Sequence, residues 1–161
     1  MYDIASNVLS YFLSGLFSGL VSTALMTLTE VPSWKRWGLH GVFEWHENQV
    51  ITERLFKLSN TKIHFKGIFF FHFLNGMLAG IAFPFIVALF FTGVIDSGAS
   101  FLLLGTLYGF VLWIITLVPI HKPITGFSLF NHPLGHMPAI SSLGGHLIYG
   151  LVLGFILFVF K

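Results

Sequence analysis

Four long apolar stretches with no charged residue in their cores constrain the fold more than any other feature of the sequence. They cover about residues 8–28, 67–91, 100–120 and 142–160. A membrane-spanning helix needs about 20 apolar residues to cross roughly 30 Å of hydrocarbon. Each stretch meets that length, so the sequence predicts an all-α integral membrane protein with four transmembrane helices in a single domain, residues 1–161.

The composition agrees with a membrane protein and excludes several function classes. Only 9% of the residues are charged and 55% are hydrophobic, whereas a soluble domain carries about 25% charged residues. The absence of cysteine excludes disulfides, iron–sulfur clusters and thiol chemistry. The net charge of +2 gives no broad basic face for nucleic acid. We expect lipid, other integral membrane subunits or a second copy of the chain as partners.

The basic residues collect in two of the three loops. Residue Lys122 lies in the loop at 121–141, and the short turn at 92–99 has no basic residue. The loop at 30–66 holds Lys35, Arg36, Arg54, Lys57, Lys62 and Lys66. We expect the protein in the cell (inner or plasma) membrane. The positive-inside rule then places both basic loops on the cytoplasmic side and both termini on the extracytoplasmic side.

The first loop has a helical pattern of its own. Its apolar residues recur at helical spacing, and three of the four tryptophans lie within residues 34–45. The spaced apolar residues are Phe43, Val50, Ile51, Leu55 and Leu58. This pattern predicts an amphipathic helix on the cytoplasmic membrane surface. The alternative is a loop helix that caps the bundle.

The spans repeat in pairs. The segment HFLNGMLAGIAF (72–83) aligns with HLIYGLVLGFIL (146–157), and GLFSGLVST (15–23) aligns with GTLYGFVLW (105–113). Each carries Gly-x3-Gly, a spacing that lets helix backbones approach closely in lipid, where packing rather than the hydrophobic effect drives association. We therefore predict a duplicated two-helix unit, arranged as a parallel repeat about an axis along the membrane normal.

Residues His72 and His146 hold equivalent positions in this repeat. Each precedes a Gly-x3-Gly at i+4 and i+8, so it lies on the packing face of its helix. Because the two helices run parallel, both imidazoles lie at a similar depth. Neutral imidazole is a common metal ligand, which favours a site for a metal ion, haem or another tetrapyrrole. The alternative is a pair of histidines that hydrogen-bond loop carbonyls and fix helix ends.

A second candidate metal site draws on both cytoplasmic loops. Histidine and glutamate ligands together hold iron, manganese or zinc. The candidates are Glu44, His46 and Glu47 of FEWHEN, His132 and His136 of NHPLGHMP, and His146. The alternative is a solvated polar face. Residue Glu30, in TLTEVP, is interpreted as a boundary residue that could instead pair with the first loop or with a histidine.

The sequence has few of the residues that catalysis requires. It contains no Walker A loop, dinucleotide fingerprint, Gly-x-Ser-x-Gly elbow or His-Glu-x-x-His motif. A rhomboid-type pair of Ser100 and His146 is excluded because the predicted topology separates them by about 30 Å, whereas a nucleophile and its base lie about 3 Å apart. Only His132 and His136 match one histidine box of the membrane di-iron desaturases.

A family resemblance covers most of the chain. Gly-x3-Gly followed by Glu-Val-Pro (15–32), a Gly-x3-Gly span that ends at Pro119, and Gly-His-Leu (145–147) resemble YagU-type small inner-membrane proteins. The resemblance implies a fold rather than an activity.

Three functions follow as hypotheses from the sequence. The packing motifs and the scarcity of catalytic residues favour a non-catalytic accessory or assembly subunit of a larger membrane complex. The alternative is a His-ligated metal or haem subunit, of the electron-transfer or membrane metallo-oxygenase type. The third is a small transporter or channel, although the sequence has no charged residue or broken helix at mid-membrane.

Overall fold

The architecture is all-helical throughout the described residues. The computed structural model describes residues 4–91, 97–129 and 131–160, and these ranges contain no strand. Residues 92–96, within the short turn predicted at 92–99, lie outside them. A 3-10 turn, Leu39–Gly41, joins the first two helices. The helices are α1 (Ile4–Trp37), α2 (Phe43–Phe56), α3 (Phe65–Phe90), α4 (Gly98–Leu117), α5 (His121–Thr125) and α6 (Met137–Val159).

Four helical segments are long and apolar enough to cross a membrane, which agrees with the number of predicted spans. They are Val8–Trp37, Phe65–Phe90, Gly98–Thr125 and Met137–Val159. The first is longer than the predicted 8–28. With 34 residues at 1.5 Å per residue, α1 is roughly 51 Å long, so it exceeds the hydrocarbon thickness.

The spanning helices pack in a fixed order. Helices α1 and α6 contact each other at the centre, α3 packs on α1, and α4 packs on α6. Both flanking contacts are made by glycine. A Cβ on Gly80 would lie 2.4 Å from Gly19 Cα, and one on Gly105 would lie 2.3 Å from Gly150 O. Any side chain at these points would therefore collide with backbone, and the helices gain close van der Waals contact instead.

Two tyrosines connect the flanking helix α3 to the other side of the bundle. Tyr108 of α4 donates a 2.8 Å hydrogen bond to Ala79 O, and Tyr149 of α6 donates a 2.6 Å hydrogen bond to Gly76 O. The Tyr108 ring also packs against Phe83, with ring centroids 4.9 Å apart. These hydrogen bonds join α3 to α4 and to α6 near the middle of α3.

Helix α2 closes one end of the bundle, which we call the α2 end. All residues from Phe43 to Gln49 are buried, most of them polar, because α2 packs against α3, α5 and α6. Gly67 of α3 allows α2 to pack closely against α3, since a Cβ at Gly67 would lie 2.3 Å from the Thr52 side chain. The predicted position of this helix on a membrane surface stays a prediction.

Candidate binding site

Three buried glutamates at the α2 end each face a buried histidine of a different helix. These six residues, which we call the His/Glu cluster, join α1 to α3, α2 to α6 and α2 to α5. The paired atoms are Glu30 Oε2 and His72 Nε2 at 3.5 Å, Glu44 Oε1 and His146 Nδ1 at 3.3 Å, and Glu47 Oε1 and His121 Nδ1 at 2.8 Å.

The Glu30 carboxyl group is enclosed by polar groups from three helices. Trp45 Nε1 donates a 2.8 Å hydrogen bond to Glu30 Oε2, and His72 Nε2 also lies 3.1 Å from Thr27 Oγ1. The Glu30 carboxyl group also lies close to that of Glu44. Glu30 Oε1 and Glu44 Oε2 are buried without a hydrogen-bond partner among the described residues.

Glu44 and Glu47 lie one turn apart on α2 and have opposite protonation states. Burial opposes ionisation of Glu44, but the hydrogen bond and electrostatic attraction between Glu44 and His146, together with the Ser142 hydroxyl, outweigh it and lower the pKa to about 2. Burial, followed by repulsion from Glu44, raises the pKa of Glu47 to about 9. At neutral pH Glu44 is therefore charged, while Glu47 keeps its proton.

A cavity of about 360 Å³ adjoins the His/Glu cluster and reaches the surface between α3 and α4. Leu78, on its α3 side, is 56% exposed, and Ile120, on its other side, is 39% exposed. The polar lining consists of Thr23, Glu44, Glu47, Asn48, His72, Asn75, Thr116, His146 and Tyr149. The apolar lining includes Met26, Ile51, Leu78, Ala79, Leu112 and Ile120. The cavity thus joins an exposed part, which includes Leu78 and Asn75, to a buried polar end at Glu44 and His146.

His46 points away from this cavity, into a second group of histidines. Its ring centroid lies 4.5 Å from that of His40 and 6.2 Å from that of His121, and His121 is 6.4 Å from His132. Burial, with repulsion from the other three histidines, lowers the pKa of His46 to about 3. Burial also lowers the pKa of His132, so both imidazoles are neutral at physiological pH.

The structure divides the predicted site residues between these two places. His72 and His146 line one cavity, together with Glu44 and Glu47. His46 and His132 belong to the second histidine group, and His136 is exposed at the start of α6. Within the described ranges, no group of three or more His, Asp or Glu side chains is placed to hold a metal ion. Metal or haem binding stays a prediction.

Several members of the site were not among the sequence candidates. Trp45, Ser142 and His121 carry no motif that marks them, and their partners are distant in sequence. Glu30 had a usable signal, because an ionisable residue in an apolar helix needs a partner. Its contacts with Trp45 of the first loop and with His72 are of the two kinds that the sequence suggested.

The fold and the site together define a class: an all-helical protein with four potential membrane spans and a buried His/Glu cluster at one end of the bundle. The chain matches no protein-family model, and the searches of curated proteins and solved structures also gave no match. The resemblance to YagU-type proteins therefore stays a prediction.

Proposed function

We propose that this protein binds an amphiphilic molecule from the bilayer, with the apolar part of the molecule between α3 and α4 and its polar head against the His/Glu cluster. The observation that carries the proposal is the cavity that joins exposed Leu78 to buried Glu44 and His146. Its volume falls in the lower range of known ligand pockets, about 300–1,000 Å³.

The chemistry of the polar end favours a head group that donates hydrogen bonds. Glu44 lines the cavity, and its Oε2 atom is buried with no hydrogen-bond partner in the described part of the chain. A buried acceptor without a donor is costly, and a carboxylate more so. A hydroxyl or amine on the ligand would supply that donor, and Asn48, which is also buried in the lining, would bind a neighbouring polar atom.

Acid–base catalysis on the bound molecule is a second candidate function. It is favoured by one observation, that charged Glu44 and protonated Glu47 line the same cavity. Two carboxyl groups whose environments separate their pKa values can act as a base and an acid. The accessory-subunit and transporter roles inferred from the sequence stay predictions.

The membrane placement belongs to the same proposal. With the α2 end in the cytoplasm and the termini outside, the basic residues of the segment between α1 and α3 would face the side that the positive-inside rule assigns to them. The His/Glu cluster would then lie near the cytoplasmic boundary, where partial hydration makes ionisable groups less costly than at the membrane centre.

The duplicated two-helix unit also stays a proposal, with support from glycine contacts. A Cβ on Gly15 would lie 2.6 Å from Gly80 O, and one on Gly105 would lie 2.9 Å from Gly154 Cα. These contact pairs occupy equivalent positions in the two sequence alignments. The same offsets relate His72 of the first unit to His146 of the second, so both units would contribute to one cavity.

Mass spectrometry of bound lipids tests the proposed function. The protein is purified in a mild detergent, extracted with organic solvent and compared with Leu112→Trp, which fills the cavity, and Leu103→Trp, which adds the same bulk to the exposed face of α4. We expect one amphiphile enriched with the wild type and the control, and lost with Leu112→Trp. Equal lipid profiles for all three proteins would refute the proposal.

A further inference from the structure

A second groove lies outside the His/Glu cluster, where α2 ends and α3 begins. It has a volume of about 740 Å³, and we call it the α2–α3 groove. Its lining combines large apolar side chains with one lysine and one histidine. The lining residues are Thr52, Phe56, Leu58, Ile63, Phe65 and Phe70, with His64, Lys66 and Gly67.

The groove is held in shape by a buried side chain. Gln49, 4% exposed, donates a 2.8 Å hydrogen bond from Nε2 to Lys62 O and accepts a 2.8 Å hydrogen bond at Oε1 from His64 N. His64 Nε2 in turn lies 2.9 Å from Ser59 O. These bonds fix the connection between the two helices, so the groove exists before any ligand arrives.

The apolar walls of the groove are open to their surroundings. Phe56 is 57% exposed and Phe70 is 60% exposed, and Ile63 between them is 47% exposed. A cluster of this kind is not favoured against water and marks a surface that meets lipid or a partner. An acyl chain would cover these walls.

The charges of the groove select the occupant. Lys66 lines the groove, and Lys57 and Lys62 directly precede the lining residues Leu58 and Ile63 in the chain. All three lysines are exposed, and no ion pair in the described ranges involves a lysine. The nearby Arg54 is bonded to Ile124 O, and Glu53 accepts a hydrogen bond from Gln49. Lysines beside an apolar surface at a membrane boundary attract anionic lipids.

We propose that the α2–α3 groove binds one anionic phospholipid, with an acyl chain along Phe56, Ile63 and Phe70 and the phosphate near the three lysines. Both halves of the lipid have a complement here, apolar wall for the chain and positive charge for the head group. The proposal does not depend on the cavity of the His/Glu cluster, which shares no lining residue with this groove.

Native mass spectrometry of the full chain in detergent tests this inference. Phosphatidylglycerol and phosphatidylcholine with the same acyl chains serve as probes. We expect the wild type to bind phosphatidylglycerol at least fivefold more tightly than phosphatidylcholine. The triple variant K57Q/K62Q/K66Q should lose this preference, while the charge-matched control K35Q/R36Q/K122Q should keep it. Equal affinity of the wild type for both lipids, or equal losses in the two variants, would overturn the proposal.

A variant of the groove wall separates the site from a general effect of charge. Phe70→Ala removes part of the surface for the acyl chain, so we expect weaker binding of both lipids, by about fivefold, with their ratio kept. Circular dichroism and thermal unfolding of each variant establish that it folds. Unchanged affinity in folded Phe70→Ala would place the lipid elsewhere and contradict the assignment of this groove.

Discussion

The indole Nε1 of Trp45 donates its hydrogen bond to Oε2 of Glu30 over 2.8 Å, in a place where both side chains are almost inaccessible to solvent. This contact ties α2 to α1 through a polar pair, whereas most contacts between the spanning helices are apolar. The stability of the α2 end therefore depends on donors and acceptors that match.

Trp45→Phe tests that dependence. The substitution leaves the Glu30 carboxyl group without its indole donor, and a buried acceptor left unpaired costs about 1–3 kcal/mol. Trp113→Phe is the matched control, because Trp113 Nε1 is buried without a partner among the described residues. We expect a lower unfolding temperature in detergent for Trp45→Phe and an unchanged or higher one for Trp113→Phe. The reverse order would contradict the structure.

Gly80→Ala tests the contact between α1 and α3. Its Cβ would lie 2.4 Å from Gly19 Cα, so the helices must separate, and overpacking of this kind costs about 1–3 kcal/mol. In Gly144→Ala the new methyl group meets nothing within 4 Å, and alanine favours helix. We therefore expect Gly80→Ala alone to unfold at a lower concentration of denaturing detergent than the wild type. Equal stability of both variants would show that the helices do not meet there.

The protonation of Glu47 gives stability a pH dependence. Its pKa is about 9 in the folded protein against a usual 4.5, so between these values the folded state binds more protons than the unfolded state. Stability should then fall as the pH rises from 4.5 to 9. Glu47→Gln, which cannot ionise, should flatten that fall in unfolding curves taken at several pH values. A steeper curve for the variant would reverse the sign argued here.

The second histidine group should make the protein sensitive to acid. The pKa of His46 is about 3, below its usual 6.5, so the unfolded state takes up a proton first as the pH falls. The stability contributed by neutral His46 is lost progressively between pH 6.5 and pH 3. His46→Phe should reduce this loss, whereas His136→Phe, at an exposed position, should not. If both variants unfolded identically in acid, His46 would not be the source of the acid sensitivity.

The spans could be predicted from sequence because their signal is local. A run of about 20 apolar residues has few alternatives to a membrane helix. The ends of the helices were less predictable. Helix α1 continues past Leu28 to Trp37 because polar residues there, Glu30 and Ser33, are buried against α2 and α6 rather than exposed at a boundary. Such burial depends on side chains far along the chain.

The site was predictable only in part, for the same reason. The repeat singled out His72 and His146, and the structure places both at one cavity. The repeat did not reveal that each of these histidines faces a carboxyl group. Glu44 and His146, for example, are separated by most of the chain. The spacing of apolar residues predicts that α2 is a helix and which face is apolar. It does not predict that the polar residues of α2 are buried, because that depends on partners from other helices.

The hydrogen bond from Tyr108 to Ala79 O joins α4 to α3 beside the cavity that Ala79 lines. In the proposed function, the opening of this cavity admits a molecule sideways from lipid. Occupancy would then follow the mole fraction of that molecule in the membrane, and its concentration in water would matter only through partitioning. Dilution of an assay with buffer would leave the bound fraction unchanged, whereas dilution with inert lipid would lower it.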